Sequence, residues 1–589
     1  MKRLSLFTMV LLLAIFSFSR CKKEPTPGTD GKVTQYINLK ATSNDGSKVS
    51  VDNVDGHLSL KWEEGDKIYV YDGNSFCGVL DFVEYTNEAQ TSAAFASSEP
   101  LSVTSGAMLS FYYYGPNVTV NESGVAVSDL SEQQGTLEYI RSKMILQGMS
   151  EYQSSGDYNV KLTVPFAVAY MRFYMFESAA ENNDIKMIGG LGNMNVTADG
   201  TLTTSSAPVT LKEAGTYQRD TYVVLNGKAS EQNLYFYNRL GTGNYKDARV
   251  VGQFKAGKFY SNDWGGPIWF YGVSVSDGEL VGLYTVNEEG LSVHFSKGNL
   301  QYTTVGEHQV AGGETKAGTW RFASNQYDIV GGAGFGNVYD DNGVQCDNSM
   351  ISDTYTGWID LFGWGTSGYH DNNDPNNINY YPYSYIIQIN QSPVNSYGYG
   401  PSIGMPDEGL YGTSRYYDWG VYNAISNGGN QAERWRTLTE NEWRYVMFNR
   451  PGVTIGTQSN CRFAPVRVNG VKGVIVFSEG FSWPSVSDIP TVFNTNDANW
   501  NNIDYSVSDW ATLENAGCLF LPLSLWRYQK DLWHINQFSF YWSTSRSSIY
   551  GYEDESAMHL SMQDNNIHLT HDGRGQGNCV RLVREPVGQ

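Results

Sequence analysis

The stretch LKWEEGDKIYVYDG, residues Leu60–Gly73, decides the fold of the first half of the chain. Its segment KIYVYD is rich in β-branched and aromatic residues and ends at an Asp-Gly turn signal, which is typical of a β-strand. We expect Trp62 to be a core anchor rather than a ligand platform. Asp66 directly follows Gly65 and is expected to fix a turn rather than bind a metal. The stretch therefore predicts a turn that leads into a half-buried strand.

The same texture continues on both sides of this stretch. Between residues 31 and 262, short runs rich in β-branched and aromatic residues alternate with turn signals such as NDG, NGK and GTGN, and no long stretch has helical periodicity. Glycine (62 residues) and aromatic residues (14%) are both frequent in the whole chain, as expected for strands joined by many turns. The pattern predicts a β-sandwich.

Trp62, Gly65, Asp66 and Ile68 together resemble the Trp-x-x-Gly-Asp-x-Ile signature of fimbrillin-like domains in Bacteroidetes surface lipoproteins. Later segments follow the same order: FYYYGP within Gly106–Pro116, LTVPFAVAYMRFYM at 162–175 and FKAGKFY at 254–260. The resemblance implies a transthyretin-like β-sandwich over residues 33–262, used in surface adhesion or in building pili.

The chain changes character after residue 262. Residues 263–281 carry glycine pairs, a proline and little periodicity, so we expect a linker there. The segments at 291–303 and 318–331 are predicted to form a hairpin. Residues 332–430 are rich in aromatic residues, glycine and asparagine, and we expect a long ordered loop system within a second domain, residues 282–589.

The motif RWRTLTENEWRYV, residues Arg434–Val446, predicts the start of a helix. Thr439 and Glu442 have the spacing of a capping box, and Trp443, Val446 and Met447 fall on one helical face. Arg436 precedes the helix and can pair with a carboxylate. We therefore interpret Arg436, Thr439, Glu442 and Trp443 as a structural motif rather than a catalytic cluster.

This motif also resembles the Arg-Leu-Pro-Thr-x-x-Glu-Trp-Glu-Tyr motif of the formylglycine-generating (sulfatase-modifying factor) fold. With DWGVYNAISNGGN at 418–430, a helix expected at Ser508–Asn515 and the ending GNCVRLVRE at 577–585, the order is similar to that of the Fibrobacter major paralogous domain. The resemblance implies a C-type-lectin-like α+β fold for residues 282–589, with two helices around a twisted antiparallel sheet.

The enzymatic activity of the formylglycine-generating family is not expected to carry over. Those enzymes bind copper through two cysteines shortly before the terminal strand, whereas residues 562–578 contain no cysteine and Cys579 lies inside the terminal motif. We expect Cys518 to be a small buried hydrophobe, although a Cys518–Cys579 disulfide is an open alternative. The sequence therefore predicts no enzyme, no catalytic residues and no cofactor.

Calcium is the one metal that the composition of the loops suggests. The acidic, Asn-rich loops at 339–349 and 370–377 could hold it, with solvated turns as the alternative. The histidines show no metal-ligand spacing, so no metal site is predicted, and His559, His568 and His571 are interpreted as facing solvent.

Aromatic residues in the loop-rich region are the clue to a ligand. Aromatic faces stack on sugar rings, and tyrosine is a common contact residue of binding loops. Trp364, Tyr369, Tyr380 and Tyr381 are therefore the candidate ligand-binding residues. The alternative is that they form the core of the ordered loop system.

The N-terminus predicts export and lipidation. Lys2 and Arg3 precede an apolar run at residues 6–18 that is shorter than the roughly 20 residues of a membrane-spanning helix. Cys21 after this run resembles the acylated cysteine of bacterial lipoproteins, which gives a signal peptide at 1–20 and a lipidated tether at 21–32. We expect an outer-membrane lipoprotein that is exposed at the cell surface and attached to the membrane through its lipid.

Charge and resemblance together give the functional hypothesis. A net charge of −21 gives a field of the wrong sign for nucleic acid, which is excluded as a partner. We expect a non-catalytic surface lipoprotein that acts in adhesion or binds glycans or proteins. The alternatives are a fimbrial or pilus component and, less in keeping with the cysteines, a formylglycine-generating-type enzyme.

Overall fold

The structure is a computed structural model, and the chain it describes is β-rich and divided among several sheets. It describes residues 31–43, 61–174, 185–206, 208–212, 218–240, 244–260, 268–269, 271–272, 277–329, 338–339, 345–346, 357–369, 409–494, 503–524, 526–528, 531–533, 537–547, 556–563 and 566–586.

The strands of the N-terminal half are β1 (Lys32–Gln35), β2 (Asn38–Ser43), β3 (Lys67–Tyr71), β4 (Phe76–Tyr85), β5 (Ser92–Ala96), β6 (Leu101–Thr104), β7 (Met108–Tyr114), β8 (Thr119–Val120), β9 (Ala126–Asp129), β10 (Glu132–Gln133), β11 (Ile145–Glu151), β12 (Asp157–Leu162), β13 (Phe166–Tyr174), β14 (Ile185–Ile188), β15 (Leu191–Val196), β16 (Leu202–Ser206), β17 (Val209–Leu211), β18 (Gln218–Asn226), β19 (Glu231–Leu240), β20 (Asn244–Gln253), β21 (Phe259–Tyr260), β22 (Ile268–Trp269) and β23 (Tyr271–Gly272).

The strands of the C-terminal half are β24 (Tyr284–Thr285), β25 (Ser292–Phe295), β26 (Leu300–Gln309), β27 (Thr315–Phe322), β28 (Val338–Tyr339), β29 (Gln345–Cys346), β30 (Arg436–Thr437), β31 (Val453–Ile455), β32 (Gln458–Cys461), β33 (Phe463–Val468), β34 (Val471–Val476), β35 (Asp504–Tyr505), β36 (Leu519–Pro522), β37 (Trp526–Tyr528), β38 (Asp531–Trp533), β39 (Ser539–Arg546), β40 (Ser556–Gln563), β41 (Asn566–Gly573) and β42 (Leu582–Arg584). The α-helices are α1 (Leu137–Ser142), α2 (Trp419–Tyr422), α3 (Glu440–Arg444) and α4 (Val507–Asn515); a 3-10 helix spans Gly412–Tyr417 and a π-helical turn spans Tyr445–Asn449.

The opening stretch lies in a seven-stranded sheet of order β11-β7-β3-β4-β5-β2-β12. Trp62 is buried and makes edge-to-face contacts with Phe95 and Tyr113, at ring-centroid distances of 5.0 and 5.4 Å. The Asp66 carboxylate accepts a hydrogen bond from the Glu63 amide at 2.7 Å and closes the turn before β3. The predicted turn, strand and core tryptophan are confirmed.

The pair β13 and β18 forms a middle layer of the N-terminal half. Val168 and Val224 face the core that they share with the seven-stranded sheet, while Ala169 and Val223 face a second core beneath the strands β14, β17 and β19. Because side chains alternate across a strand, a strand buried on both faces must be apolar at consecutive positions. This explains the consecutive apolar residues Phe166–Ala169 of β13, whereas further along the strand the partly exposed Tyr170 and Arg172 alternate with the buried Met171 and Phe173.

The remaining N-terminal sheets have the orders β10-β17-β14-β19-β20-β23, β16-β15-β9-β8 and β1-β6, and β13 also pairs with β21 and β22. Residues 263–281 were predicted to be a linker, but the strands β22 and β23 fall within them. Ile268 is buried in the second core, so Ile268–Trp269 and Tyr271–Gly272 belong to the N-terminal sheets.

The C-terminal half also contains a sheet that is buried on both faces. In the sheet β35-β33-β34-β36, Val474 and Leu519 face the main core, while Ile475 and Phe520 face a second core. Helix α4 covers the second core with two of its residues, Trp510 and Leu513. The helix predicted at Ser508–Asn515 is confirmed, and it begins one residue earlier.

The predicted hairpin is present with different bounds. The strands β26 and β27 pair antiparallel, from Leu300 opposite Phe322 to Gln309 opposite Thr315. The strand β25, which falls inside the predicted first arm, pairs instead with β24 and with the terminal strand β42. Strand β42 also pairs with β30, which places the motif at Arg434–Val446 against the C-terminal strand.

The two halves of the chain meet at a contact surface that contains both polar and apolar groups. His294 Nε2 lies 2.8 Å from Asp247 Oδ2, and its Nδ1 lies 3.0 Å from the Gly282 carbonyl oxygen. A carbonyl can only accept, so Nδ1 carries a hydrogen. Arg249 forms an ion pair with Glu585 at 3.1 Å.

Tyrosines of β19 complete this surface. The Ser292 amide donates to the Tyr235 hydroxyl at 2.9 Å, and the Tyr237 hydroxyl donates to the Glu479 carbonyl at 3.2 Å. Both rings pack with Ile188 and Leu283 in a small apolar cluster. We call the contacts that Tyr235, Tyr237, Asp247 and Arg249 make with the C-terminal half the joint.

Candidate functional site

The Arg434–Val446 motif is a structural support. Thr439 Oγ1 accepts from the Glu442 amide at 3.2 Å, and the Glu442 carboxylate accepts from the Thr439 amide at 2.8 Å. The same carboxylate pairs with both terminal nitrogens of Arg436, at 2.7 and 2.8 Å. Trp443 is fully buried in the main core. The predicted capping box is confirmed, and its glutamate is already engaged by the protein.

Asp418 ties this motif to the preceding segment. Its carboxylate accepts from the Thr437 amide at 2.8 Å, from the Thr437 hydroxyl at 3.1 Å and from the Gly420 amide at 3.0 Å. Burial raises the pKa of Asp418 to about 6, and these hydrogen bonds partly oppose the rise. Through these hydrogen bonds Asp418 positions helix α2 against Thr437.

Trp364 is a core residue, which corrects its place among the candidate ligand contacts. It is 1% exposed, and its indole N–H donates to the Ser543 carbonyl at 2.8 Å. The Arg574 guanidinium lies 4.8 Å from the centre of its ring. A ring enclosed in this way has no face for a sugar.

Tyr369 lies at the centre of a cluster of tyrosines on the C-terminal half. Its ring centroid is 5.4 Å from that of Tyr416, 5.0 Å from Tyr417 and 5.2 Å from Tyr422. Tyr417 and Tyr422 are buried, whereas Tyr369 and Tyr416 are half-buried. The two buried rings therefore support the two that reach the surface.

A hydrogen-bonded frame holds this cluster from below. The Ser367 hydroxyl donates to the Tyr416 carbonyl at 2.7 Å and accepts from the Tyr369 amide at 3.2 Å. Asn423 donates to the Ser367 carbonyl at 3.0 Å, and its amide oxygen lies 2.8 Å from Nε2 of buried His308. Both loops that carry the half-buried tyrosines are thus tied to one scaffold.

Charged groups border the cluster at the surface. The Arg415 guanidinium lies 4.5 Å from the centre of the Tyr416 ring, and one of its nitrogens is 2.9 Å from the Tyr416 hydroxyl. Glu433 Oε1 lies 3.4 Å from both the Tyr416 hydroxyl and Arg415. Tyr411, at the start of the 3-10 helix, is 47% exposed. We call Tyr369, Tyr411, Arg415, Tyr416 and Glu433 the tyrosine surface.

Of these five residues, the sequence predicts Tyr369 as a ligand contact and does not predict the other four. The run YGTSRYYDWG at 411–420 carries three tyrosines beside an arginine, which is the signal that could have identified three of them. Glu433 has no local signature, because only the folded chain brings it to Tyr416.

Several sequence-based expectations fall outside the described residues. These are the lipidation of Cys21, the ligand roles of Tyr380 and Tyr381, and the acidic loop at 370–377; of the loop at 339–349, the structure gives only short backbone segments. In the described parts of the chain, no group of three or more His, Cys, Asp or Glu side chains could hold a metal ion.

Cys518 and Cys579 are not joined by a disulfide. Cys518 belongs to the core beneath α4, and Cys579 belongs to the main core. The Cys579 sulfur lies 2.6 Å from the Ser524 hydroxyl, and burial raises the pKa of this thiol to about 12. A thiol that stays protonated is a poor nucleophile.

The histidines of the terminal sheet are not simply solvent-facing, which corrects their interpretation. His559 is 1% exposed, between Phe540 and Trp542, and burial lowers its pKa to about 3. His568 is half-buried, and burial lowers its pKa as well. The Asp572 carboxylate lies 4.0 Å from His559, and burial raises its pKa to about 7.

Among the described residues, no helix is long and apolar enough to cross a membrane.

Comparison with known proteins gives similarities to solved structures only. No family model matches the chain, and no curated protein matches it. A candidate cell adhesion protein from Bacteroides ovatus shares 11% identity at a TM-score of 0.25, over 41% of this chain and 96% of that one. A candidate cell adhesion protein from Bacteroides uniformis shares 14% identity at a TM-score of 0.25, over 42% of this chain and 98% of the other.

A fimbrial assembly protein from Parabacteroides distasonis is also similar, with 11% identity and a TM-score of 0.23, over 41% of this chain and 97% of that one. The similarities cover the N-terminal part of the chain. TM-scores this low carry no argument about fold or function, so the interpretation of each half rests on its own residues.

Proposed function

We propose that this chain is a non-catalytic, surface-exposed lipoprotein that binds a ligand in adhesion through the tyrosine surface. A fimbrillin-like, transthyretin-like sandwich would carry a C-type-lectin-like domain outward from the outer membrane. The observation that supports the binding role is the set of half-buried tyrosines around Tyr369, which two buried rings and a hydrogen-bonded frame hold in place. Preorganised aromatic surface lowers the entropy cost of binding.

The decisive experiment is an adhesion assay with the full chain purified in detergent. Wells coated with mucin and wells coated with extracellular-matrix proteins would test the glycan and the protein ligand separately. Tyr411→Ala and Tyr416→Ala should each weaken saturable binding at least about tenfold, since exposed aromatic contacts of this kind dominate binding energy. Tyr36→Ala is the matched control, because Tyr36 is 40% exposed on the other half of the chain.

Binding that both tyrosine variants retain in full would exclude the tyrosine surface as the site. Unchanged thermal unfolding of the two variants would show that any loss of binding is local. Adding calcium or a chelator tests the acidic loops at the same time, because only binding through a calcium site should respond.

Anchoring through Cys21 has its own test. In the expressing bacterium, Cys21→Ala should stop incorporation of labelled palmitate and release the protein from the outer membrane, while Cys77→Ala should do neither. Protease added to whole cells should digest the wild-type protein if it faces outward.

The fimbrial alternative is supported by the residues of the opening signature and by the segments that follow it in the expected order. A pilus component should form polymers that resist detergent and appear as ladders on gels. A chain that stays monomeric in the presence of cell-envelope extract would count against this role and leave the adhesive role in place.

A further inference from the structure

Arg415 and Glu433 give the tyrosine surface a balanced charge. Their side chains are each about half exposed, at 51%, and they form an ion pair at 3.4 Å beside the Tyr416 hydroxyl. A site for an anionic ligand would present positive charge without a matching carboxylate, because a nearby carboxylate repels the anion. The pair therefore favours a ligand without net charge.

The backbone of Glu433 is held in a strained conformation. Its φ is 59°, a left-handed conformation that residues with a side chain rarely adopt and that often marks functional sites. The Glu433 amide donates to the Val421 carbonyl at 2.9 Å, which holds the residue in place. Glycine would relieve the strain but would remove the carboxylate from Tyr416.

The polar groups have the chemistry of a hydroxyl-binding site. The Arg415 guanidinium donates hydrogen bonds, the Glu433 carboxylate accepts them, and the Tyr416 hydroxyl can do either. Vicinal hydroxyls of a sugar need such donors and acceptors close together, and the C–H face of a sugar ring packs on an aromatic face. The exposed ring of Tyr411 and the half-buried rings of Tyr369 and Tyr416 supply aromatic surface.

We propose that the tyrosine surface binds an uncharged glycan, with Arg415, Tyr416 and Glu433 reading its hydroxyl groups. This inference rests on the proposed adhesive function and narrows its ligand. The net charge of −21 acts in the same direction, because the field of the whole chain repels sialylated, sulfated and uronic-acid glycans.

The experiment measures competition for adhesion to mucin by free oligosaccharides, with the full chain in detergent at physiological salt. The probes are neutral galactose- and N-acetylglucosamine-terminated oligosaccharides and the same structures with sialic acid or sulfate added. Neutral oligosaccharides should displace the protein, and their charged forms should compete at least about tenfold less well.

Two conservative variants test the residues that read the hydroxyls. Glu433→Gln keeps the size but removes the charge, and Tyr416→Phe keeps the ring but removes the hydroxyl. Each should weaken neutral-glycan competition by roughly tenfold, the usual effect of losing a hydrogen bond to a charged or buried group. Glu99→Gln, at an exposed position of the N-terminal half, should change nothing.

The outcomes separate this inference from the function beneath it. One outcome would overturn the inference and leave the adhesive function standing: Tyr416→Ala abolishes adhesion, but no neutral oligosaccharide competes with it. Equal competition by charged and neutral glycans would also overturn it, as would full competition in both conservative variants. Adhesion that Tyr416→Ala leaves intact would remove the proposed site, and the inference with it.

Discussion

At the scale of single residues, Glu442 joins two stabilising interactions in one side chain. It caps helix α3 and neutralises Arg436, and only 13% of its side chain is exposed. Glu442→Ala should therefore lower the free energy of unfolding by about 2–4 kcal/mol, since it removes a cap and leaves the partly buried Arg436 guanidinium with only the more distant Glu585 carboxylate, at 3.7 Å. Chemical denaturation of the full chain measures the change.

Glu440→Ala is the control for this prediction. Glu440 pairs with Arg444 across one helical turn, and 46% of the Arg444 side chain is exposed. Removing such a pair costs about 0.3–0.5 kcal/mol. Equal losses in the two variants would contradict the role assigned to Glu442.

His559 makes stability depend on pH. Burial lowers its folded-state pKa from 6.5 to about 3, so the folded chain binds its proton more weakly than the unfolded chain does. The stability that it contributes is complete above pH 6.5 and is lost as the pH falls from 6.5 toward 3, at most about 5 kcal/mol. Asp572 has a raised pKa and contributes the opposite trend between about pH 4 and 7.

His559→Phe isolates this effect, because it keeps an aromatic ring between Phe540 and Trp542 and cannot be protonated. Unfolding free energies of the wild type and the variant, measured from pH 8 to pH 4, should diverge below pH 6.5, with the wild type losing more. Parallel curves over the whole range would rule out His559 as the source.

At the scale of elements, the middle layer of the N-terminal half is sensitive on both of its faces. Val223 and Val224 are adjacent in β18 and fully buried in different cores. Val→Thr at either position keeps the shape and buries a hydroxyl, which should cost about 1–3 kcal/mol in each case. Equilibrium denaturation of the two single variants tests this.

The strand β12 supplies the comparison. Its residues alternate between exposed and buried, so Val160→Thr should cost as much as the β18 changes, while Asn159→Thr at an exposed position should cost less than about 0.5 kcal/mol. A mild effect at either Val223 or Val224 would mean that β18 has one open face.

These elements also mark how far the sequence predicts the fold. Local signals sufficed for the capping box, for α4 and for the turn at Asp66, because each depends on residues within one or two turns of each other. The layers that cover the two faces of β13 are formed by residues distant from it in the chain. A continuous apolar run predicts that a segment is buried, but it does not predict which elements cover each face.

The same limit applies to the candidate site. In the sequence, Tyr369 and Trp364 are both aromatic residues of a loop-rich region. They differ in burial, since Trp364 is buried and Tyr369 is half-buried, and burial depends on the folded core. Glu433 reaches Tyr416 because the hydrogen bonds from Thr437 to Asp418 and from Glu433 to Val421 fold the intervening segment back.

At the scale of the whole molecule, the joint couples the stability of the two halves. The His294 and Asp247 side chains are 3% and 6% exposed, so removing one leaves the other buried without its partner. We expect the wild-type halves to unfold in one calorimetric transition and Asp247→Ala to split it into two. Each half would then unfold on its own core.

Asp220→Ala is the control for this prediction. Asp220 forms an ion pair with Arg172 whose members are 36% and 38% exposed, so solvent screens the pair and its loss should leave the single transition intact. Two transitions in the wild type would show that the joint does not couple the halves.

The joint also determines how the chain can be divided. A recombinant fragment that ends after Gly272 would carry the rings of Tyr235 and Tyr237 on its outside, together with the Asp247 carboxylate that His294 covers in the intact chain. The complementary fragment would likewise expose Leu283 and His294 on its outside. The exposed surfaces of the two fragments are complementary. Co-expression should therefore reconstitute the protein, whereas each fragment expressed alone should precipitate.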